Sequence, residues 1–378
     1  MSTLDWSQVV DAKAHGTTAD SLARERKGYV DVFRGLLIAH MALDHASLMF
    51  NARRPAEEIA AVRPELPGDL AQFLTRFTGV SVAPGFCFMA GFMVALTSSA
   101  REQRGVPKRE VTRRLVTRGL VLIAVDALIL GLPRAASGFY SFMVLSCIGV
   151  SIMLLALLRD ISSRRLLPVA LGVLLLHPLL DVSALPVPLQ AILHEPIRSG
   201  AFRSLYPVIP WSAIVLLGFV VGRDTLTRSK PERFWLLLSG ASLLVFLLLR
   251  SNGGYGNAYA YGSVGSFEFW QFAKYPPDLA FLSWSFALTF AGLALVRVLT
   301  RGEVPALLRP FALFGKVPFF FYVTHFYVLG LAAALLRTKF LLPGTYLVWL
   351  CLLLLMAWPC AWYYRKKVER PNLVTRYF

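Results

Sequence analysis

Apolar and polar positions do not alternate evenly along this chain: long apolar runs are parted by short charged or Pro/Gly-rich stretches. Ten runs qualify as candidate membrane spans: 29–49, 73–99, 115–133, 140–158, 166–180, 206–222, 234–250, 277–298, 311–336 and 345–364. A spanning helix needs about 20 mainly apolar residues, which several of these reach outright and the shorter ones approach. The pattern predicts an all-α polytopic membrane bundle of about ten transmembrane helices. It sets a polar tail at 1–28, one transmembrane domain at 29–364 and a basic tail at 365–378. The opening tail is polar, so no cleavable leader is expected before the first run.

The first run breaks the pattern. Tyr29 to Phe50 reads YVDVFRGLLIAHMALDHASLMF and carries Asp31, Arg34, His40, Asp44 and His45. Ionisable groups at membrane depth are costly unless they pair or face a cavity, so they mark a site. At about 100° per residue, Arg34 and His45 fall on nearly one helical face, with Asp31 within about 60° of it. A rise of about 1.5 Å per residue sets Arg34 and His45 about 16 Å apart along the axis. His40 and Asp44, four apart, share a neighbouring face. One helix thus presents a polar stripe through most of the membrane.

Composition supports the membrane reading: 56% of residues are hydrophobic and 16% charged, against about 25% charged in soluble domains. The net charge of +17 would suit a nucleic-acid binder were it not sorted by loop. Of 39 lysines and arginines, 26 fall in or beside alternate loops on the side of the N-terminus and 11 on the other. Basic loops stay cytoplasmic, so both termini are expected there and no nucleic-acid partner is implied. Cys87, Cys147, Cys351 and Cys360 all lie in apolar runs, at neither disulfide nor zinc-ligand spacing, and no metal is expected.

His45 is the leading candidate for a general base, since a near-neutral imidazole can take a proton from a hydroxyl or amine. The bland alternative is a buried histidine bonded to a backbone carbonyl. Asp44 points about 100° away from His45 on a regular helix, so a carboxylate from another span is the expected partner of the imidazole. Asp126, mid-way along the third run, is an isolated carboxylate that wants a cation or histidine, and His45 or Arg34 could supply it. Asp31 and Arg34, three apart, most simply neutralise each other, while the Arg34 guanidinium also offers a fork for phosphate or a thioester oxygen. The loop AREQRGVPKREVTRR, with Arg113 and Arg114, is the densest cation cluster; as a cytoplasmic basic loop it needs no further role. Lys316 enters the ninth run from the same side. Pro84-Gly85 in the second run suits close helix packing or a tunnel wall. On the opposite side stand Trp211, Lys274 and Tyr275, with His325 inside the ninth run, as candidate substrate contacts. An aromatic interface belt and a core histidine are the plainer readings of these residues. The loop at 181–205 adds His194, Glu195 and Arg198.

In this order, several motifs resemble the catalytic-domain family of heparan-α-glucosaminide N-acetyltransferase, in its bacterial branch. They are R-x-x-x-D-x-x-R-G-L (Arg26/Lys27, Asp31, Arg34, Gly35, Leu36) with Asp44-His45, and AP-x-F-x-F-x-AG (Ala83, Pro84, Phe86, Phe88, Ala90, Gly91). Ile148-Gly149, YP-x-IPW (Tyr206 to Trp211), KYPP (Lys274 to Pro277) and FGKVPFFFY-x-x-H (Phe314 to His325) follow. The resemblance covers nearly the whole chain, and its motifs are specific in combination. It departs at one point: the animal enzymes of the family place their histidine just after this span, where residues 51–72 here contain none. His45 stands a few residues earlier, as in the wider acyltransferase-3-like group.

The resemblance implies a transmembrane acyltransferase-like bundle of the bacterial inner membrane. It would pass an acyl group, acetyl being the expectation, from cytoplasmic acyl-coenzyme A to a hydroxyl or amine of an extracytoplasmic glycan or sugar-lipid. Arg34, Arg113, Arg114 and Lys316 are then the expected coenzyme contacts. His45, with Asp44 and Asp126, is the expected catalytic set, and Trp211, Lys274, Tyr275 and His325 are the expected substrate contacts. A homodimer is compatible with this arrangement. The competing reading is a secondary carrier or exporter of a small polar solute, because broken helices with buried charges also describe carriers. Carriers often show two related halves, and no internal repeat is legible here.

Overall fold

The polar stripe of the first run lies on one helix, α1 (Thr18–Phe50), in the computed structural model of the chain. The structure describes residues 18–60, 63–66, 69–197 and 201–372, with side chains from Gly28 onward except Pro133. Arg198, the side chains of Arg26 and Lys27, and residues 1–17 and 373–378 of the tails lie outside the described residues.

After α1 come α2 (Leu70–Gly79), α3 (Val82–Gln103), α4 (Lys108–Ala124), α5 (Leu132–Ala136) and strand β1 (Tyr140–Phe142). Next are α6 (Val144–Leu158), α7 (Ser163–Leu176), α8 (Val187–Leu193), strand β2 (Phe202–Ser204), α9 (Val208–Thr225) and α10 (Pro231–Asn252). The chain closes with α11 (Leu279–Leu299), α12 (Arg309–Lys316), α13 (Pro318–Leu336) and α14 (Leu342–Glu369). Among the described residues the two short strands form one parallel pair, with Tyr140 opposite Phe202. The protein is a mostly helical membrane bundle.

Among the described residues, six stretches are long and apolar enough to cross a membrane: α2–α3 together, α9, α10, α11, α13 and α14. α6 is apolar but shorter. α1 misses that standard of apolarity because of its own charged stripe, although it lies at the heart of the bundle. Helix α10 leaves Leu236, Leu237, Leu244 and Leu248 exposed, the composition of a face that meets lipid.

Three faces of α1 have three fates. Tyr29, Val30, Phe33 and Leu37 join the larger apolar core, with residues of α3, α9 and α11. Ile38, Ala42, Ala46 and Phe50, spaced by four, join a second core with α12, α13 and α14. Arg34, Met41, His45 and Leu48, at spacings of seven, four and three, line a cavity between them. Close approach of backbones fixes α1 in this position. A Cβ on Gly35 would fall 1.7 Å from the Phe311 carbonyl oxygen, and one on Gly315 would fall 1.8 Å from that of Asp31. The two glycines of the R-G-L and F-G-K motifs therefore face each other's helices, and small residues at the contact are what allow it. Gly91 of α3 and Gly218 of α9 form a second such pair, against Val215 and Phe88.

The aromatic stretch between α10 and α11 is ordered by a buried arginine. Arg250 donates to the carbonyls of Phe269 (2.8 Å) and Glu268 (3.0 Å) and to Asn257 Oδ1 (2.8 Å). Many of its rings pack inward, Tyr259, Phe269 and Phe272 being buried, although Tyr255 and Phe267 stay exposed.

Candidate functional site

His45 lines a cavity of about 310 Å³. Its walls come from α1, α3, α4, α6 and α13, with Met89, Ile148 and Phe319 among the apolar lining. One end holds Arg34 and Arg118; the other holds Asp44, Arg54, Glu57 and Lys274. Since Arg34 and His45 are eleven residues apart on one helix, the cavity runs about 16 Å along α1.

The ring of His45 is held by a second histidine. His45 Nδ1 lies 2.8 Å from His325 Nε2, and His325 Nδ1 lies 3.0 Å from the Phe321 carbonyl oxygen. A carbonyl only accepts, so His325 Nδ1 carries the proton and, in the neutral ring, its Nε2 is an acceptor. His45 Nδ1 must then donate, which leaves the lone pair of neutral His45 on Nε2. That nitrogen points away from His325, which is wholly buried behind the cavity wall. The relay from backbone carbonyl to His325 to His45 thus sets a basic nitrogen toward the cavity. Phe326, with its ring centre 4.3 Å from that of His45, flanks the imidazole.

The expected carboxylate beside His45 is absent among the described residues; the partner is an imidazole from α13. Asp126 sits elsewhere. The end of α4 continues into a π turn (Val125–Leu130) that holds Asp126 against the start of α6, where it accepts from Met143 N (3.0 Å) and Ser146 N (3.1 Å). Its nearest cation is Arg134, at 3.9 Å, rather than Arg34. A carboxylate at the N-terminus of a helix meets free N–H groups, and these satisfy Oδ2, while Oδ1 has no hydrogen-bond partner among the described residues.

Asp44 belongs to an ionic network next to His45. It accepts from Arg54 (2.9 Å) and Arg76 (2.8 Å); Arg54 also reaches Glu57 (2.7 Å), and Arg76 reaches Glu57 (2.9 Å) and Glu58. Three carboxylates meet two guanidiniums, and Lys274 supplies the third positive charge nearby. Burial pushes the Glu57 carboxyl up, but Arg76, Lys274 and Arg54 together hold it down at about 2. Sequence reasoning misses Arg54, Glu57, Glu58 and Arg76 as site residues. The signal that could have found them is the dense charge pairing of R-x-x-E-E directly after the polar span.

Lys274 and Tyr275 line the cavity, on a segment tied down by its backbone. The Glu58 carbonyl accepts from both of their N–H groups (2.9 and 3.1 Å), and Asp278 accepts from the N–H groups of Ala273, Ala258 and Phe281. Lys274 is 5% exposed; its Nζ lies 5.1 Å from the centre of the Tyr275 ring. Among the described residues, that ammonium meets no hydrogen-bond acceptor and no carboxylate within ion-pair distance. Trp211 is fully buried against Tyr206 and does not line the cavity.

At the other end, Arg34 is 3.8 Å from Asp31, and Arg118, also missed by sequence reasoning, has no ion-pair partner among the described residues. Arg113, Arg114 and Lys316 stand away from the cavity lining. Arg114 pairs with Glu110 one turn earlier, and Lys316 lies over the Tyr364 ring at 4.8 Å. Among the described residues, no cluster of three or more His, Cys, Asp or Glu side chains could hold a metal ion.

A cavity with apolar walls and charged ends, lined by His45, thus lies inside the apolar helical bundle. No curated protein matches the chain. The sequence model of the heparan-alpha-glucosaminide N-acetyltransferase catalytic region matches residues 26–251, which include most of α1 with His45 and stop short of Lys274 and His325. Since that match spans more than half of the 378 residues, the chain belongs to the heparan-α-glucosaminide N-acetyltransferase catalytic family, a family of membrane acetyltransferases.

Proposed function

We propose that this protein moves an acetyl group from cytoplasmic acetyl-coenzyme A to an amine or hydroxyl of a sugar on the far side of a bacterial inner membrane. In this reading both termini and the Arg34 end of the cavity face the cytoplasm, as the sorting of basic residues between loops supports. The shorter helices then complete a bundle of about ten spans around α1.

The observation that carries the reading is one cavity with two chemically different ends. Arg34 and Arg118 present guanidinium forks suited to phosphate groups, and Arg118 has no acidic partner among the described residues to satisfy it. About 16 Å further along the helix, His45 offers the lone pair of Nε2. A donor held by its phosphates at the first end would lie with its thin arm along Met89 and Ile148 and its thioester beside His45. His45 takes the proton of the acceptor amine or hydroxyl as that group attacks the thioester carbon, and returns it to the departing thiolate. His325 holds the ring in the tautomer that makes this possible, and Asp44 fixes the network beside it. Lys274 and Tyr275 face the entry of the acceptor.

Purified protein with acetyl-labelled coenzyme A and glucosamine tests this directly. Thioester consumption with label on the sugar, abolished by His45→Ala, is the expected result. Solute uptake into vesicles without thioester consumption would replace the enzyme with a carrier.

A further inference from the structure

The cavity holds two hydrogen-bond donors that the protein itself does not use, both on the side of His45 away from the arginine pair. The first is the Lys274 ammonium, buried and without an acceptor among the described residues. The second belongs to a tyrosine pair. Tyr275 donates its hydroxyl proton to the Tyr206 oxygen at 3.0 Å, so the proton of Tyr206 has no acceptor among the described residues. Tyr206, Lys274 and His45 line the same space. Lys274 is near enough for its charge to act on His45, Asp44 and Glu57.

These donors are also fixed in advance. Glu58 O and Asp278 clamp the backbone on both sides of Lys274, and the Tyr275 carbonyl accepts from Ala60 N at 3.0 Å. Tyr206 is wedged between Tyr275 and the buried Trp211. A rigid pair of donors, one of them cationic, stabilises negative charge that develops in a water-poor site with little reorganisation, which is where such groups contribute most.

We propose that Lys274 and Tyr206 form the oxyanion hole of the transfer reaction. The inference rests on the acyl-transfer reading above. As the acceptor nitrogen or oxygen bonds to the thioester carbon, the carbonyl π pair moves onto oxygen, and Nζ–H of Lys274 and the O–H of Tyr206 donate to it. His45 Nε2 holds the acceptor's proton at that moment. The oxygen pair then re-forms the carbonyl, the C–S bond breaks, and the thiolate takes the proton from His45. No oxidant, reductant or further reactant is needed.

The test uses the full chain with acetyl-coenzyme A and glucosamine. Lys274→Met is expected to lower kcat by about 10²–10³-fold, the range for losing one such donor, with KM for both substrates unchanged. Lys274→Arg should retain part of the rate, and Tyr206→Phe should lower kcat in the same way. Should Lys274→Met fail to fold, judged by gel filtration and thermal unfolding, Tyr206→Phe decides the matter alone. Unchanged kcat in the folded variants, or a loss confined to KM for the sugar, overturns the oxyanion role. If wild type is active and His45→Ala inactive while Lys274→Met and Tyr206→Phe match wild type, this inference falls and acyl transfer stands. If wild type consumes no thioester, both fall.

Discussion

His325→Phe is the perturbation that separates a relay from mere packing. Phenylalanine keeps a flat ring in a wholly buried site but removes the Nε2 acceptor that lies 2.8 Å from His45 Nδ1. With the proton still on Nδ1, His45 would direct an unpaired N–H into an apolar wall, at a cost of about 1–3 kcal/mol. The neutral ring escapes that cost by shifting the proton to Nε2, which leaves the lone pair facing the substituted phenyl ring and nothing basic facing the cavity. The fraction of the useful tautomer, and with it kcat, should fall by about 5–150-fold, since about 1.4 kcal/mol is a factor of ten. His325→Gln, whose amide oxygen can accept from Nδ1, should recover part of the loss. Turnover of acetyl-coenzyme A under saturating substrates is the assay, with thermal unfolding as a check on folding. A folded Phe variant with wild-type kcat, or a Gln variant no better than Phe, refutes the relay.

Arg118→Gln should raise KM for acetyl-coenzyme A by about tenfold or more, the loss of a charged hydrogen bond of about 1.5–3 kcal/mol, and leave KM for the sugar alone; equal shifts in both would contradict the division of the cavity. The Glu57 carboxyl is held at about 2, below its ordinary 4.5, so its stabilising contribution is complete above about 4.5 and is lost as pH falls toward 2. Melting temperature in detergent should therefore decline through that window and decline less in Glu57→Gln; parallel curves for the two proteins would count against it. Gly35→Val should yield little folded protein in gel filtration, because its Cβ would fall 1.7 Å from the Phe311 carbonyl oxygen, whereas Gly172→Ala, with open space around it, should behave as wild type.

Much of the architecture follows from local chemistry and was legible in the chain. Apolar runs of spanning length become helices because a helix satisfies its own backbone within one segment, where the bilayer core offers it no partner. The 3.6-residue period alone put Arg34 and His45 on one face, and both line the cavity. The same arithmetic turned Asp44 away from His45, and Asp44 indeed pairs with Arg54 and Arg76.

What stands across from that face was settled only by tertiary packing. His45 and His325 are 280 residues apart, and nothing in either segment's periodicity names the other. Asp126 shows the limit clearly: an isolated carboxylate in an apolar run requires hydrogen-bond donors, but the sequence does not say whose, and a π turn gave it the N–H groups of α6. Arg113 and Arg118 have equal charge and lie five residues apart, yet only Arg118 lines the cavity, because the rotation of α4 where it packs on α6, at Gly119 against Gly149, selects the face. Helical geometry is fixed within a few residues by covalent structure, so sequence determines which side chains share a face. Which faces meet depends on close contacts between distant segments, such as Gly35 against Phe311, and that information exists only once the chain is folded.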